Sequence, residues 1–239
     1  MAELIDSASI LVIRDGDDGL EVLMIKRHQD IAFAGGAYVF PGGKVDPEDI
    51  ELANNIPEYP DGYSELTHTA FREVFEESGL IIGEQTSASE YRDDLLNDKI
   101  TFAEIINKAN ITFNMDALVP FARWVTPRIY PKRFDTRFFL AKAPTGQVAT
   151  PDGREAVDLK WVKPLEFIEE AREDMMFPTI MNLKLLSQAG NMDEAFEQSR
   201  VRKIVTVEPK IIDGKRVIDP NAGYDEVDQD GIHIGVRGD

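Results

Sequence analysis

The chain of 239 residues contains no cysteine. Disulfide frameworks and thiol catalysis are therefore excluded, and the redox compartment leaves no mark on the sequence. Positive charge is also scarce: 26 lysines and arginines stand against 44 aspartates and glutamates, a formal net charge of −18. A general nucleic-acid binder needs a basic footprint, so that class is set aside. A small anionic substrate stays open, because local charge at a site outweighs the total. No apolar run approaches the roughly 20 residues of a membrane span. Residues 1–19 lack the basic start and long apolar core of a secretory leader. The expectation is a cytoplasmic protein with neither nucleic-acid nor membrane partners, and no internal repeat is present.

What is there suffices for one good-sized domain, with 43% hydrophobic and 29% charged residues and ample material to bury a core. Residues 7–14 and 20–27 read as strands of a hairpin around Asp15, Gly16, Asp17, Asp18 and Gly19. A glycine-bearing lead, residues 31–37, runs into a β-like stretch at 38–40. Residues 79–82 read as the opening of a short strand. Residues 87–109 read as mostly helical, with Leu95, Leu96, Phe102, Ile105 and Ile106 as core. Residues 165–173 and 178–189 read as helices, the second with a buried stripe of Ile180, Met181, Leu183 and Leu186. Residues 191–200 add a further helical turn or two. From Val205 the composition shifts to Pro209, Gly214, Pro220, Gly223 and many acids. Residues 205–239 therefore read as an acidic tail, a strand or hairpin plus an extended segment, that either packs on a domain spanning 1–204 or is partly disordered.

The chain is organised around residues 71–80, where Arg72, Glu73, Glu76 and Glu77 recur at helical spacing. At about 100° per residue they fan across one arc, while Phe71, Val74, Phe75 and Ser78 take the opposite one. Ser64 is placed to cap the start of this helix, and Gly79 to stop it in the left-handed conformation. A plain amphipathic surface helix has the same alternation. Three crowded glutamates beside a single arginine repel one another, however, unless a cation sits among them. Oxygen-only ligands suit Mg²⁺ or Mn²⁺.

Upstream lies Phe40-Pro41-Gly42-Gly43-Lys44. The pattern from Gly43 through Arg72-Glu73-Val74-Phe75-Glu76-Glu77-Ser78-Gly79-Leu80 resembles the signature of the Nudix hydrolases. Its helical half matches at every fixed position. Its first half is interrupted by an insertion, residues 46–64, with turn signals at Asn54, Asn55, Pro57, Pro60 and Gly62. The place of the family's first glutamate falls to Asp49, with Glu48, Glu51 and Glu65 as competitors for its structural role.

A second informative region spans residues 118–140, two β-like runs around Pro127 and Pro131. Arg123, Arg128, Lys132, Arg133 and Arg137 face only Asp135. One reading is a solvated basic hairpin with internal ion pairs. The sharper reading is phosphate recognition by arginine forks. On that reading Arg123, Arg133 and Arg137, with Arg27 at the end of the second strand, are substrate-binding candidates. Trp124, Tyr130 and Phe134 either stack on a ligand or pack in the core. His28 has no assigned role.

The resemblance implies an α/β fold, the Nudix α/β/α sandwich with a mixed β-sheet between helices. It implies Mg²⁺- or Mn²⁺-dependent hydrolysis of a phosphoanhydride in a nucleoside diphosphate linked to another moiety. Glu73, Glu76 and Glu77, with the Gly43 carbonyl, would hold the metal. Arg72, counted with Glu73 and Glu155 in the catalytic set, would fix the glutamates through an i,i+4 contact with Glu76. Glu155 precedes a strand that ends near Trp161 and matches the carboxylate that Nudix enzymes draw from outside the signature, with Asp158 as competitor. Either Glu155 or Glu73 would take the proton.

Residues 33–46, 124–127, 133–139 and 177–179 resemble a branch with an interrupted signature. It includes the peroxisomal coenzyme A diphosphatases and bacterial relatives. Coenzyme A or an acyl-coenzyme A is thus the implied substrate class, and without a C-terminal Ser-Lys-Leu address a bacterial member is expected. An ADP-ribose or nucleotide-sugar diphosphatase and a non-catalytic nucleotide sensor are the alternatives. A homodimer is the default assembly.

Overall fold

The computed structural model describes residues 3–55, 64–83, 88–113, 117–212 and 215–224. Strand β1 (Leu4–Gly16) turns at Gly19, whose φ of +120° favours glycine, into β2 (Gly19–Arg27). The pair is in register from Ile13↔Val22 to Gly16↔Gly19 and then diverges. Into the gap come β3 (Tyr38–Val39), antiparallel to β2, and β4 (Gly42–Lys44), antiparallel to β1. On the far side of β1, β6 (Arg133–Lys142) runs parallel from Leu4↔Arg133 to Ile13↔Lys142. Next to it lies β5 (Leu118–Val125), antiparallel to β6. Strand β7 (Ala156–Val162) flanks β2, which completes a mixed sheet apart from one short edge strand described below.

Period-two burial along β1 builds two cores. Ala8, Ile10 and Val12 face a layer formed by α2 (Ser64–Ser78) and α4 (Phe102–Lys108), where Phe71, Val74, Phe75, Phe102 and Ile105 are buried. Leu11 and Ile13 face α5 (Pro164–Ala171), α6 (Phe177–Leu186) and α7 (Met192–Val201), through Phe167, Ile180, Leu183 and Ala195. A sheet covered on both faces by helices is an α/β/α sandwich. Among the described residues no helix is long and apolar enough to cross a membrane.

Two expectations are corrected. Residues 79–82 form no strand. The Gln147 side chain accepts from Ile81 N–H at 2.8 Å and donates to its carbonyl at 3.1 Å. One amide thus satisfies both backbone groups, and no strand partner is needed. The insertion opens as a helix, α1 (Pro47–Asn55), that includes Asn54 and Asn55; its signals at Pro57, Pro60 and Gly62 lie outside the described residues. The helix α2 begins at Ser64, whose side chain also lies outside them.

The C-terminal stretch, read as a strand or hairpin plus an extended segment, contains both a strand and a hairpin and packs on the domain. Strand β8 (Thr206–Val207) joins the sheet parallel to β5, and a hairpin of β9 (Lys210–Ile212) and β10 (Lys215–Val217) follows. Ile218, Ala222 and Tyr224 belong to the same core as α6. This cover explains why α6 is buried nearly all round, Thr179, Met181, Asn182 and Leu185 included, rather than along one stripe. Tyr224 Oη donates to Asn182 Oδ1 at 2.8 Å and accepts from Trp124 Nε1 at 2.9 Å. Trp124 is therefore a core residue. Residues 225–239 lie outside the described part.

Tyr224→Phe should cost about 1–2 kcal/mol, because it removes two buried hydrogen bonds and leaves Trp124 Nε1 and Asn182 Oδ1 with their longer mutual bond of 3.3 Å. Urea denaturation checks this, and an unchanged midpoint would mean the segment contributes no stability through that contact.

Candidate functional site

Arg72 is buried in the middle of α2 and has partners on three elements. Its Nε and Nη2 donate to Asp49 at 3.0 and 2.9 Å, a bidentate pair with the insertion helix. Its Nη1 donates to Glu73 at 3.0 Å and Glu76 at 3.1 Å, and Nη2 also reaches the Lys44 carbonyl at 3.2 Å. Asp49, fully buried, also accepts from Thr69 Oγ1 at 2.8 Å and from Asp46 N–H at 3.0 Å. The structure thus picks Asp49 over Glu48, Glu51 and Glu65 as the arginine's partner. Arg72 has no donor left to offer a ligand, and its contacts include the i,i+4 pair with Glu76 through which it is expected to fix the glutamates.

The loop glycines pack directly on the glutamates. Gly42 N–H donates to Glu77 Oε2 at 2.8 Å. A Cβ added at Gly43 would collide with the Glu73 carboxylate, so only glycine allows this approach. The helix then ends in two ways. Gly79 adopts φ +74°, and Arg92 donates from Nε and Nη2 to the Glu76 carbonyl at 3.0 and 2.8 Å. A cation on the last carbonyls is the favourable sign for a helix C-terminus. Nothing local in the sequence marks Arg92 for this, since it belongs to a separate short helix, α3 (Arg92–Leu95).

On the other side stands Arg27. Its Nη1 lies 3.5 Å from Glu77 Oε1, and its Nη2 donates to Glu155 Oε2 at 3.2 Å. The structure therefore brings Glu73, Glu76, Glu77, Gly43, Arg27 and Glu155 together. Asp158, exposed on β7, bonds the following Leu159 N–H instead.

Arg123, Arg133 and Arg137, the substrate-ligand candidates of the basic hairpin, stand here in ion pairs rather than in an open phosphate cradle. Asp135 accepts from Arg123 Nε and Nη2 at 2.9 and 2.6 Å and from Arg137 Nη1. Burial alone would raise the Asp135 carboxyl, but the two arginines hold it below the usual carboxylate range. Arg133 donates to Glu208 at 3.1 Å and to the Thr126 carbonyl at 3.0 Å, and Arg128 lies 3.5 Å from Glu208. Internal ion pairing, the blander alternative, is what the fold produces. Its acid at 208 comes from the C-terminal segment, which the local sequence could not announce.

Comparison with known proteins agrees with this architecture. The family model described as the NUDT19 Nudix domain matches residues 65–179. A Caenorhabditis elegans protein designated nudix hydrolase 7 is 30% identical over 82% of this chain and 66% of its own length. The human acyl-coenzyme A diphosphatase NUDT19 is 25% identical over 64% of this chain and 56% of its own. The crystal structure of a NUDIX hydrolase from Alicyclobacillus acidocaldarius superposes with a TM-score of 0.74 at 28% identity, covering 82% of this chain and 97% of that one. The chain belongs to the Nudix hydrolase superfamily. It spans from about half to two thirds of the length of the curated relatives it matches.

Nudix hydrolases generally use divalent metals, and the donor set here can be tested for one. Among the described residues no three His, Cys, Asp or Glu side chains converge as a ready-made cage. Arg72 accounts for this, because it holds the Glu73 and Glu76 carboxylates itself. The remaining chemistry is that of a site short of positive charge. Glu77 Oε1 is buried and accepts no hydrogen bond. Burial raises Glu77 well above the usual carboxylate range, reinforced by the Glu73 charge and offset in part by Gly42 N–H and Arg27. Burial likewise raises Glu73 against the opposing pull of Arg72, with Glu155 adding to the rise. Glu76 is pushed up to about 8, by burial first and then by Glu73, less what Arg72 takes back. A hard divalent cation fits the chemistry of this all-oxygen set, because Arg72 engages one oxygen of Glu73 and one of Glu76.

Glu76 binds its proton more tightly in the folded protein than in the unfolded one. The stability this gives is complete below 4.5 and is lost as pH rises through about 8. In chelator the Nudix domain should therefore weaken across that window, and Glu76→Gln should flatten the fall; urea midpoints on either side of it are the check. Gly43→Ala should keep the fold, since only a side-chain carboxylate must move, yet lower metal affinity by about tenfold or more, measured by Mn²⁺ titration.

Proposed function

We propose that this Nudix domain hydrolyses the phosphoanhydride of a nucleoside diphosphate joined to a second moiety, with coenzyme A or an acyl-coenzyme A as the substrate class. The observation that carries the reading is the set of three glutamates, 73, 76 and 77, packed on Gly42 and Gly43 with a buried Glu77 oxygen that has no hydrogen-bond partner. The names of the Xenopus and human relatives, acyl-coenzyme A diphosphatases, support the substrate class.

Glu73, Glu76 and Glu77, with the Gly43 carbonyl, are the residues that would hold Mg²⁺ or Mn²⁺. When bound, such an ion lowers the pKa of water and neutralises diphosphate charge. The chain's own groups do the rest. Arg72 holds Glu73 and Glu76 on one side of the helix. Glu155, with its carboxylate largely exposed beside Glu77, is placed to accept a proton from an attacking water. Glu73 is the less suitable base, because its Oε1 is already engaged by Arg72. Buried, hydrogen-bonded partners fix the carboxylates before substrate arrives, which is where positioning contributes to rate.

The test is a Mg²⁺-dependent hydrolysis screen over coenzyme A, acyl-coenzyme A, ADP-ribose, nucleotide-sugar and dinucleoside compounds, with Glu77→Gln as control. Coenzyme A should yield 4′-phosphopantetheine and 3′,5′-ADP, and the control should lose turnover by about two or more orders of magnitude. AMP and ribose 5-phosphate from ADP-ribose as the best products would replace the substrate class. Nucleotide binding without any product would replace hydrolysis by sensing.

A further inference from the structure

The β2–β7 ladder slips by a step between Lys26 and Arg27. The extra residue, Val157, lies on β7, so the bulge bends that strand two residues after Glu155 and directly opposite Arg27. The main chain at that point is fixed: Arg27 N–H donates to Ala37 O at 2.9 Å, and Gly36 N–H donates to Arg27 O at 3.1 Å. The backbone of Glu155 is fixed as well. Its carbonyl accepts from His28 N–H at 2.8 Å, and Asp152 Oδ1 accepts from Arg154 and Ala156 N–H at 2.7 and 2.9 Å.

The Glu155 carboxylate is another matter. Its side chain is 61% exposed, and its partner among the described residues is Arg27 Nη2 at 3.2 Å. Glu73 and Glu77 both repel it, since its charge raises their affinity for protons. Without a cation between them, like charges would drive Glu155 away from the helix.

We propose that Arg27 is a positioning residue that bridges the carboxylates of Glu77 and Glu155 and so sets where Glu155 stands at the site. This rests on the hydrolase reading above. An exposed ion pair alone would hold little, but the Arg27 side chain is only 15% exposed and the order of its fork is already paid for by the fold. Its two Nη groups face carboxylates, and its Nε is buried without an acceptor.

Five proteins decide the matter: wild type, Arg27→Gln, Glu155→Gln, the double variant and the conservative replacement Arg27→Lys. Arg27→Gln should lower kcat by about tenfold or more and leave KM within about twofold. Arg27→Lys should recover part of kcat, because one ammonium cannot fork to two carboxylates. In the Glu155→Gln background, Arg27→Gln should cost nothing further. A raised KM with kcat kept, or losses that multiply in the double variant, would overturn the proposal. The carboxylate ¹³C resonance of Glu155, assigned by its loss in Glu155→Gln, should also shift in Arg27→Gln. If the wild type hydrolyses no diphosphate, the hydrolase reading fails and that resonance alone judges the bridge: an unchanged resonance sinks it.

Discussion

Everything at this site depends on one buried guanidinium. Taking the charge of Arg72 out of water is costly unless it is fully paired, and the fold meets that demand with Asp49, Glu73, Glu76 and the Lys44 carbonyl. Burial by itself would make the proton easier to lose, but the Asp49 hydrogen bonds and the flanking carboxylates hold it more firmly than in free arginine. Three pieces of chain, the glycine loop, the insertion helix and the glutamate helix, are thereby fastened at a single point.

That constraint also explains how a signature can be interrupted without being broken. The acids that matter come early in the inserted stretch. Asp49 meets Arg72, and Glu48 Oε1 accepts from Ala103 N–H at 2.8 Å near the start of α4. The first helix of the insertion thus supplies the clamp itself.

Charge is distributed unequally for physical reasons. The glutamate helix keeps more carboxylate than its arginines can neutralise, with Arg72 on one side and Arg27 on the other. The basic hairpin is the reverse case, conspicuous in sequence yet neutralised within itself by Asp135 and Glu208. Net charge counted along a segment said little about which cations are free, because a partner distant in sequence can cancel them.

The sequence by itself determined the local patterns. The β1–β2 hairpin, the apolar and charged arcs of α2 and its stop at Gly79 all depend on neighbours a few positions apart, where periodicity and backbone preference act directly. The family resemblance and the carboxylate set followed from that helix. Only the tertiary structure decided the pairings across distance: Arg72 with Asp49, Arg27 with Glu155 across 128 positions, Trp124 with Tyr224 across 100. It alone showed that the stretch after Val205 completes the core. Such contacts leave no periodic trace, because they are chosen by which buried donors and acceptors the packed sheet brings within reach, and an unpaired one would cost more than the chain can spare.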